Sequence, residues 1–91
     1  MENILNGKAK IEFEKYVLDK YGYDDIMTWR YLKNVVLYAL IIEWLSTLKY
    51  KGQDLYIYCF DFFYKHRIES QTINDINLQA ITKAVETFNL I

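Results

Sequence analysis

Leu55-Tyr56-Ile57-Tyr58-Cys59-Phe60-Asp61-Phe62-Phe63-Tyr64 decides what kind of fold this chain makes, because the stretch reads two ways. As a helix, Leu55, Tyr58, Cys59, Phe62 and Phe63 fall at i, i+3, i+4, i+7 and i+8 and form one face, with Asp54 placed as the N-cap. As a strand, Leu55, Ile57 and Cys59 point to one side while Tyr56, Tyr58 and Phe60 point to the other. Three tyrosines, three phenylalanines and an isoleucine among these ten residues are types that lose side-chain freedom in a helix and fit a pleated surface. That composition favours the strand. Its partner strand is then expected within residues 65–73, although no Asn-Gly or Asp-Gly pair marks the hairpin turn.

Helical patterns surround this stretch on both sides. Ala9, Phe13, Tyr16 and Val17 fall at offsets 0, 4, 7 and 8 between Gly7 and Gly22, which predicts a first helix closed by Gly22. A second helix is expected from a cap at Asp24, Asp25 or Thr28 through Trp29, Leu32, Val36, Leu37, Leu40, Ile41, Trp44 and Leu48, to a stop at 49–52. Residues 35–42 are apolar on every side, so this helix should be the most enclosed element. After the ambiguous stretch, Asn74 or Asp75 can cap a last helix whose buried stripe is Leu78, Ile81, Ala84, Val85 and Phe88. The expected class is α+β: two N-terminal helices, a short β-hairpin and a C-terminal helix. An all-α four-helix arrangement is the alternative.

Ninety-one residues with 53% hydrophobic and 18% aromatic content suit one small folded domain rather than a disordered chain. Nine tyrosines, five phenylalanines and two tryptophans are more aromatic surface than so small a core encloses. Some of it is therefore expected at the surface or in an interface, where a ring with a polar tip is well suited. Eleven basic against twelve acidic residues leave a formal net charge of −1, so no global field draws the chain to nucleic acid or an anionic membrane. The charges are unevenly placed: four bases (Arg30, Lys33, Lys49, Lys51) stand against one acid, Glu43, in residues 26–53. The one cysteine, Cys59, excludes an intramolecular disulfide and fits a reducing cytoplasm. The N-terminus lacks the features of a secretory signal. The longest apolar run, residues 34–42, is far short of the ~20 residues a membrane span needs. No membrane partner is expected.

Asn6-Gly7-Lys8-Ala9-Lys10 with Phe13-Glu14-Lys15, then Ala39-Leu40-Ile41-Ile42-Glu43-Trp44-Leu45, then Ala80-Ile81-Thr82-Lys83-Ala84-Val85-Glu86, resemble small uncharacterised proteins of bacteriophages and prophages in gut bacteria. The resemblance implies an order of two helices, a short hairpin and a closing helix, and a setting in a bacterial host cytoplasm. It implies no activity.

Chemistry is sparse. His66 with Asp61 and Glu69 is the nearest thing to an acid/base or metal set, but on a strand these three do not share a face. A solvated histidine within Lys65-His66-Arg67 is the simpler reading. Cys59 sits among apolar neighbours, which raise a thiol pKa and make it inert. There is no glycine-rich phosphate loop, nucleophile elbow or Cys-x-x-Cys pair, and neither a catalytic residue, a metal site nor a cofactor is nominated. What stands out is Tyr50, Tyr56, Tyr58 and Tyr64 among Lys49, Lys51, Lys65, His66 and Arg67. On a strand, Tyr56, Tyr58, Phe60, Phe62 and Tyr64 would form an aromatic platform flanked by cations. The leading expectation is a non-enzymatic protein-interaction module that meets a host protein or a second copy of itself. A single-stranded nucleic-acid or nucleotide binder, stacking bases on that platform, is the alternative.

Overall fold

The structure is a computed structural model, and it describes residues 5–22 and 34–91. Four helices and one two-stranded hairpin follow in the order α1 (Gly7–Tyr21), α2 (Asn34–Leu45), β1 (Lys49–Tyr50), β2 (Gln53–Asp54), α3 (Leu55–Lys65) and α4 (Ile73–Leu90). The class is α+β, as expected, with the hairpin in a different place. The expected caps Asp24, Asp25 and Thr28, with Trp29, Arg30, Leu32 and Lys33, lie outside the described residues.

The α1 helix matches its sequence pattern. Ala9, Phe13 and Val17 are buried, Tyr16 packs at their edge, and Gly22 ends the helix in the left-handed region (φ 73°), donating its N–H to the Leu18 carbonyl at 2.9 Å. The start of the helix is capped from the far end of the chain. The Asn6 side chain makes no N-cap hydrogen bond; instead Ala9 N–H donates to Asn89 Oδ1 at 2.7 Å, and Asn89 Nδ2 donates to the Asn6 carbonyl at 3.1 Å. Gly7 (φ 58°) permits this approach, since a Cβ there would stand 3.3 Å from the Asn89 amide.

Helix α2 stops at Leu45, not at 49–52. Ser46, Thr47 and Leu48 close its last turn, and the next residues reverse direction. Lys51 and Gly52 both have positive φ (50° and 86°), the conformation of a two-residue hairpin turn whose twist matches the flanking strands. Lys49 pairs with Asp54 and Tyr50 with Gln53, and Leu55 N–H extends the ladder to the Leu48 carbonyl at 2.9 Å. The turn signal was therefore Lys-Gly, one of the less common ways to fill these positions.

The strand expected over 55–64 is a helix, and the partner strand within 65–73 is its end and a connecting turn. Asp54 Oδ1 accepts from Ile57 N–H at 2.7 Å, the N-cap foreseen in the helical reading. Leu55 and Cys59 are buried against the rest of the molecule, whereas a strand would leave most of its ladder groups without partners. Ring contacts at i, i+4 along Tyr56, Phe60 and Tyr64 (5.8 and 5.9 Å between centroids) offset part of the low helix propensity of aromatic residues. The basic run that follows serves the helix end. His66 N–H donates to the Phe62 carbonyl, and the Arg67 guanidinium donates to the Tyr64 carbonyl at 2.6 Å.

The cap of α4 is Thr72 rather than Asn74 or Asp75. Its hydroxyl accepts from Asp75 N–H at 3.1 Å while the Asp75 carboxylate accepts from Thr72 N–H at 3.0 Å, a reciprocal capping box. The buried stripe is Ile76, Ala80, Ile81, Ala84 and Val85, because the helix turns this face to the other elements, and Leu78 is left 42% exposed. This helix touches all three others and supplies the most buried side chains. The described part of α2, expected to be the most enclosed, instead leaves Val36 and Ala39 exposed.

Candidate functional site

Helix α3 is covered by α4, the hairpin and, to a lesser extent, α2, so its aromatic residues divide by position around the axis. On one flank Tyr56, Phe60 and Tyr64 form a column that ends under Arg67, whose guanidinium carbon lies 3.8 Å from the Tyr64 ring centre. At the base of this column the Tyr56 hydroxyl donates to Asn77 Oδ1 on α4. Burial, with the Asp54 carboxylate adding to it, raises the Tyr56 pKa.

On the other flank, Tyr58 meets Tyr50 of the hairpin edge to face at 5.0 Å, and the Lys51 ammonium lies 5.4 and 5.6 Å from the centres of these two rings. One turn further, Phe62 meets Phe63 edge to face at 5.4 Å and His66 at 4.6 Å. Tyr50, Tyr58, Cys59, Phe62, Phe63, Lys83 and Thr87 together enclose a cavity of about 200 Å³. Cys59 forms part of its wall; burial pushes the thiol pKa up, against a smaller opposing pull from the Lys83 ammonium.

The residues nominated from sequence are thus partly united. Tyr50, Tyr58 and Lys51 come together, as do Tyr64 and Arg67, but the two groups lie on opposite flanks. The five-ring platform does not form, because residues 56, 58, 60, 62 and 64 share a face only on a strand. Lys65 pairs with Asp61 at 2.9 Å, and His66 is exposed with Nδ1 2.8 Å from the Phe62 carbonyl. Lys49 is exposed on β1. Asp61, His66 and Glu69 do not converge: the first is engaged by Lys65, the second by the helix end, and Glu69 lies exposed in the following turn. Ile57 (46%), Phe62 (54%) and Tyr64 (39%) remain open to solvent.

Sequence reasoning missed Phe63, Lys83 and Thr87 as cavity walls, since Lys83 and Thr87 come from a helix read only for its apolar stripe. It also missed a polar cluster elsewhere. The Glu43 carboxylate accepts from the Tyr16 hydroxyl (2.7 Å), the Tyr21 hydroxyl (2.8 Å) and the Lys20 ammonium (3.1 Å), which ties α1 to α2. Hydrogen bonds from Tyr16, Tyr21 and Lys20, in that order, hold the Glu43 pKa below its usual range. The signal was present: Glu43 is the one acid in residues 26–53 and stands in an otherwise apolar helix.

No protein-family model, curated protein or solved structure matches the chain. No helix among the described residues is long and apolar enough to cross a membrane.

Proposed function

We propose that this protein is a non-enzymatic interaction module whose contact surface is the hairpin and the open side of α3. One observation carries the reading: among the described residues the most aromatic element is covered on one side only, leaving Ile57 and Tyr64 on its uncovered face and Phe62 at the cavity rim, each at 39% exposure or more. An isolated exposed apolar residue is ordinary, but apolar and aromatic side chains on one helix, beside ring-stacked Lys51 and Arg67, match the composition of interface centres. The working setting is the cytoplasm, where Cys59 remains a thiol, and the host's cytoplasm if the chain is phage-encoded. The partner is a protein of that compartment or a second copy of the chain.

The test compares two pairs of exposed apolar residues in the full-length protein. Ile57→Glu with Tyr64→Glu alters one face of α3, seven residues apart; Ile11→Glu with Leu18→Glu does the same on α1, where both residues are also exposed. Self-association by sedimentation, and capture from bacterial lysate, should be lost in the α3 pair and kept in the α1 pair. Equal behaviour of the two pairs, or a chain that neither associates nor captures, contradicts the reading. Binding to a labelled oligonucleotide that weakens steeply with salt would favour the nucleic-acid alternative instead.

A further inference from the structure

We infer that the cavity between the hairpin, α3 and α4 seats one aromatic side chain of an acidic polypeptide segment. This rests on the interaction reading and specifies the partner's chemistry. Size gives the first constraint. An apolar cavity of ~150 Å³ holds benzene, and drug-sized ligand pockets begin near ~300 Å³, so a space of about 200 Å³ fits one ring with little more. The lining gives the second. Tyr50, Tyr58, Phe62 and Phe63 already meet in edge-to-face pairs, the geometry in which a further ring packs well, and Cys59 adds a polarizable wall. An aromatic anchor in such a pocket is the usual centre of an interface.

Charge at the rim gives the third constraint. Lys51 stands beside Tyr50 and Tyr58 and makes no ion pair among the described residues. The Lys83 ammonium is 3.9 Å from Glu86, with both side chains more than half exposed, so this pair is loose and Lys83 can turn to a new partner. Of the neighbouring acids, Asp54 is occupied as the α3 cap. Carboxylates on either side of an inserted ring would therefore meet Lys51 and Lys83, while cationic flanks would meet like charge.

The experiment is an amide NMR titration of the full-length protein with end-blocked pentapeptides. The first has one phenylalanine between pairs of aspartates, the second has lysines in place of the aspartates, and the third has alanine in place of phenylalanine. Phenylacetate, a free aromatic acid, is the fourth probe. The acidic phenylalanine peptide alone should shift the amides of residues 50–51, 58–63 and 83–87. Lys83→Met, which keeps the apolar stem, should weaken its binding about 10-fold. Lys51→Glu with Lys83→Glu should transfer the preference to the lysine peptide, an exchange that a merely weakened fold would not produce. Equal response to the acidic and basic peptides, no response to any peptide, or phenylacetate binding as tightly as the peptide would each overturn the inference. If the peptides fail while Ile57→Glu with Tyr64→Glu still abolishes contact, the cavity inference falls and the interaction surface stands; if both fail, both fall.

Discussion

Phenylalanine, tryptophan and tyrosine are used in opposite ways at the two ends of this molecule. Where α1, α2 and α4 converge, Trp44 is enclosed between Phe13 and Phe88, edge to face at 5.9 and 5.2 Å, and Phe13 is fully buried. Around α3, Tyr56, Tyr58, Phe60 and Phe63 pack on the core with one side only, and Phe62 and Tyr64 are open to solvent. Residue chemistry does not separate the two regions; coverage does. A ring between three helices loses water on all sides, whereas a ring on α3 has α4, the hairpin and part of α2 on one side only among the described residues. The first region should therefore hold the fold together, and the second should contribute little to it while remaining available for contact.

The largest effect is expected where the comparison is most one-sided. Phe13→Ala should lower unfolding free energy by about 3–5 kcal/mol, through lost transfer energy and an unfilled cavity. Ile57→Ala, on the uncovered face of α3, should change it by no more than ~0.5 kcal/mol, so a urea titration of both variants compares the regions directly. Removing the Thr72 hydroxyl with Thr72→Ala should cost about 1 kcal/mol, because Asp75 N–H loses its acceptor and the reciprocal box opens. Gly52→Ala should cost a similar ~1 kcal/mol, since φ of 86° strains any residue with a Cβ. That change should also loosen the hairpin side of the cavity, visible as altered amide shifts of Tyr50 and Tyr58.

The smallest effect is pH-dependent and belongs to the α1–α2 junction. Glu43 is held below its unfolded pKa of about 4.3, so its contribution is present above that pH and lost as pH falls through the lower folded value. Tyr16 and Tyr21 are raised, chiefly by burial for Tyr16 and by the Glu43 hydrogen bond for Tyr21; Lys20 is raised chiefly by the hydrogen bond to Glu43. Their contributions are present below the unfolded values of ~10 and lost as pH rises through the folded ones. Glu43→Gln should flatten the acid limb of Tm against pH measured between about pH 7 and pH 2, and converge with wild type at its lower end. Because the carboxylate is partly exposed, screening by salt should shrink the difference.

Much of the architecture was legible before the structure. Gly22 as the end of α1, Asp54 as the cap of the helical reading, the stripe of the first helix, and Ile81, Ala84 and Val85 of the last each rest on local chemistry that acts through neighbouring residues. What could not be read depends on how local signals weigh against one another, or on distant groups. Propensity alone pointed 55–64 towards a strand, yet the helix gains a cap at one end, carbonyl-satisfying donors from His66 and Arg67 at the other, and a buried face on α4. The capping of α1 by Asn89 joins residues about eighty positions apart, and no local pattern announces it. At the candidate site, the aromatic and basic residues nominated from sequence come together only in part: Tyr50, Tyr58 and Lys51 on one flank, Tyr56, Tyr64 and Arg67 on the other. Their division between two flanks follows from the helix, and the part played by Lys83 and Thr87 follows from how α4 crosses α3.

If the open side of α3 is kept for contact, its side chains do not serve the fold. Urea titration of the variant carrying Ile57→Ser with Tyr64→Ser is the decisive measurement. These two surface changes should together cost about 1 kcal/mol or less, with an unchanged denaturant slope. A loss of ~3 kcal/mol or more, the scale of emptying a core site such as Phe13, would show that these side chains are part of the core and would contradict the claim.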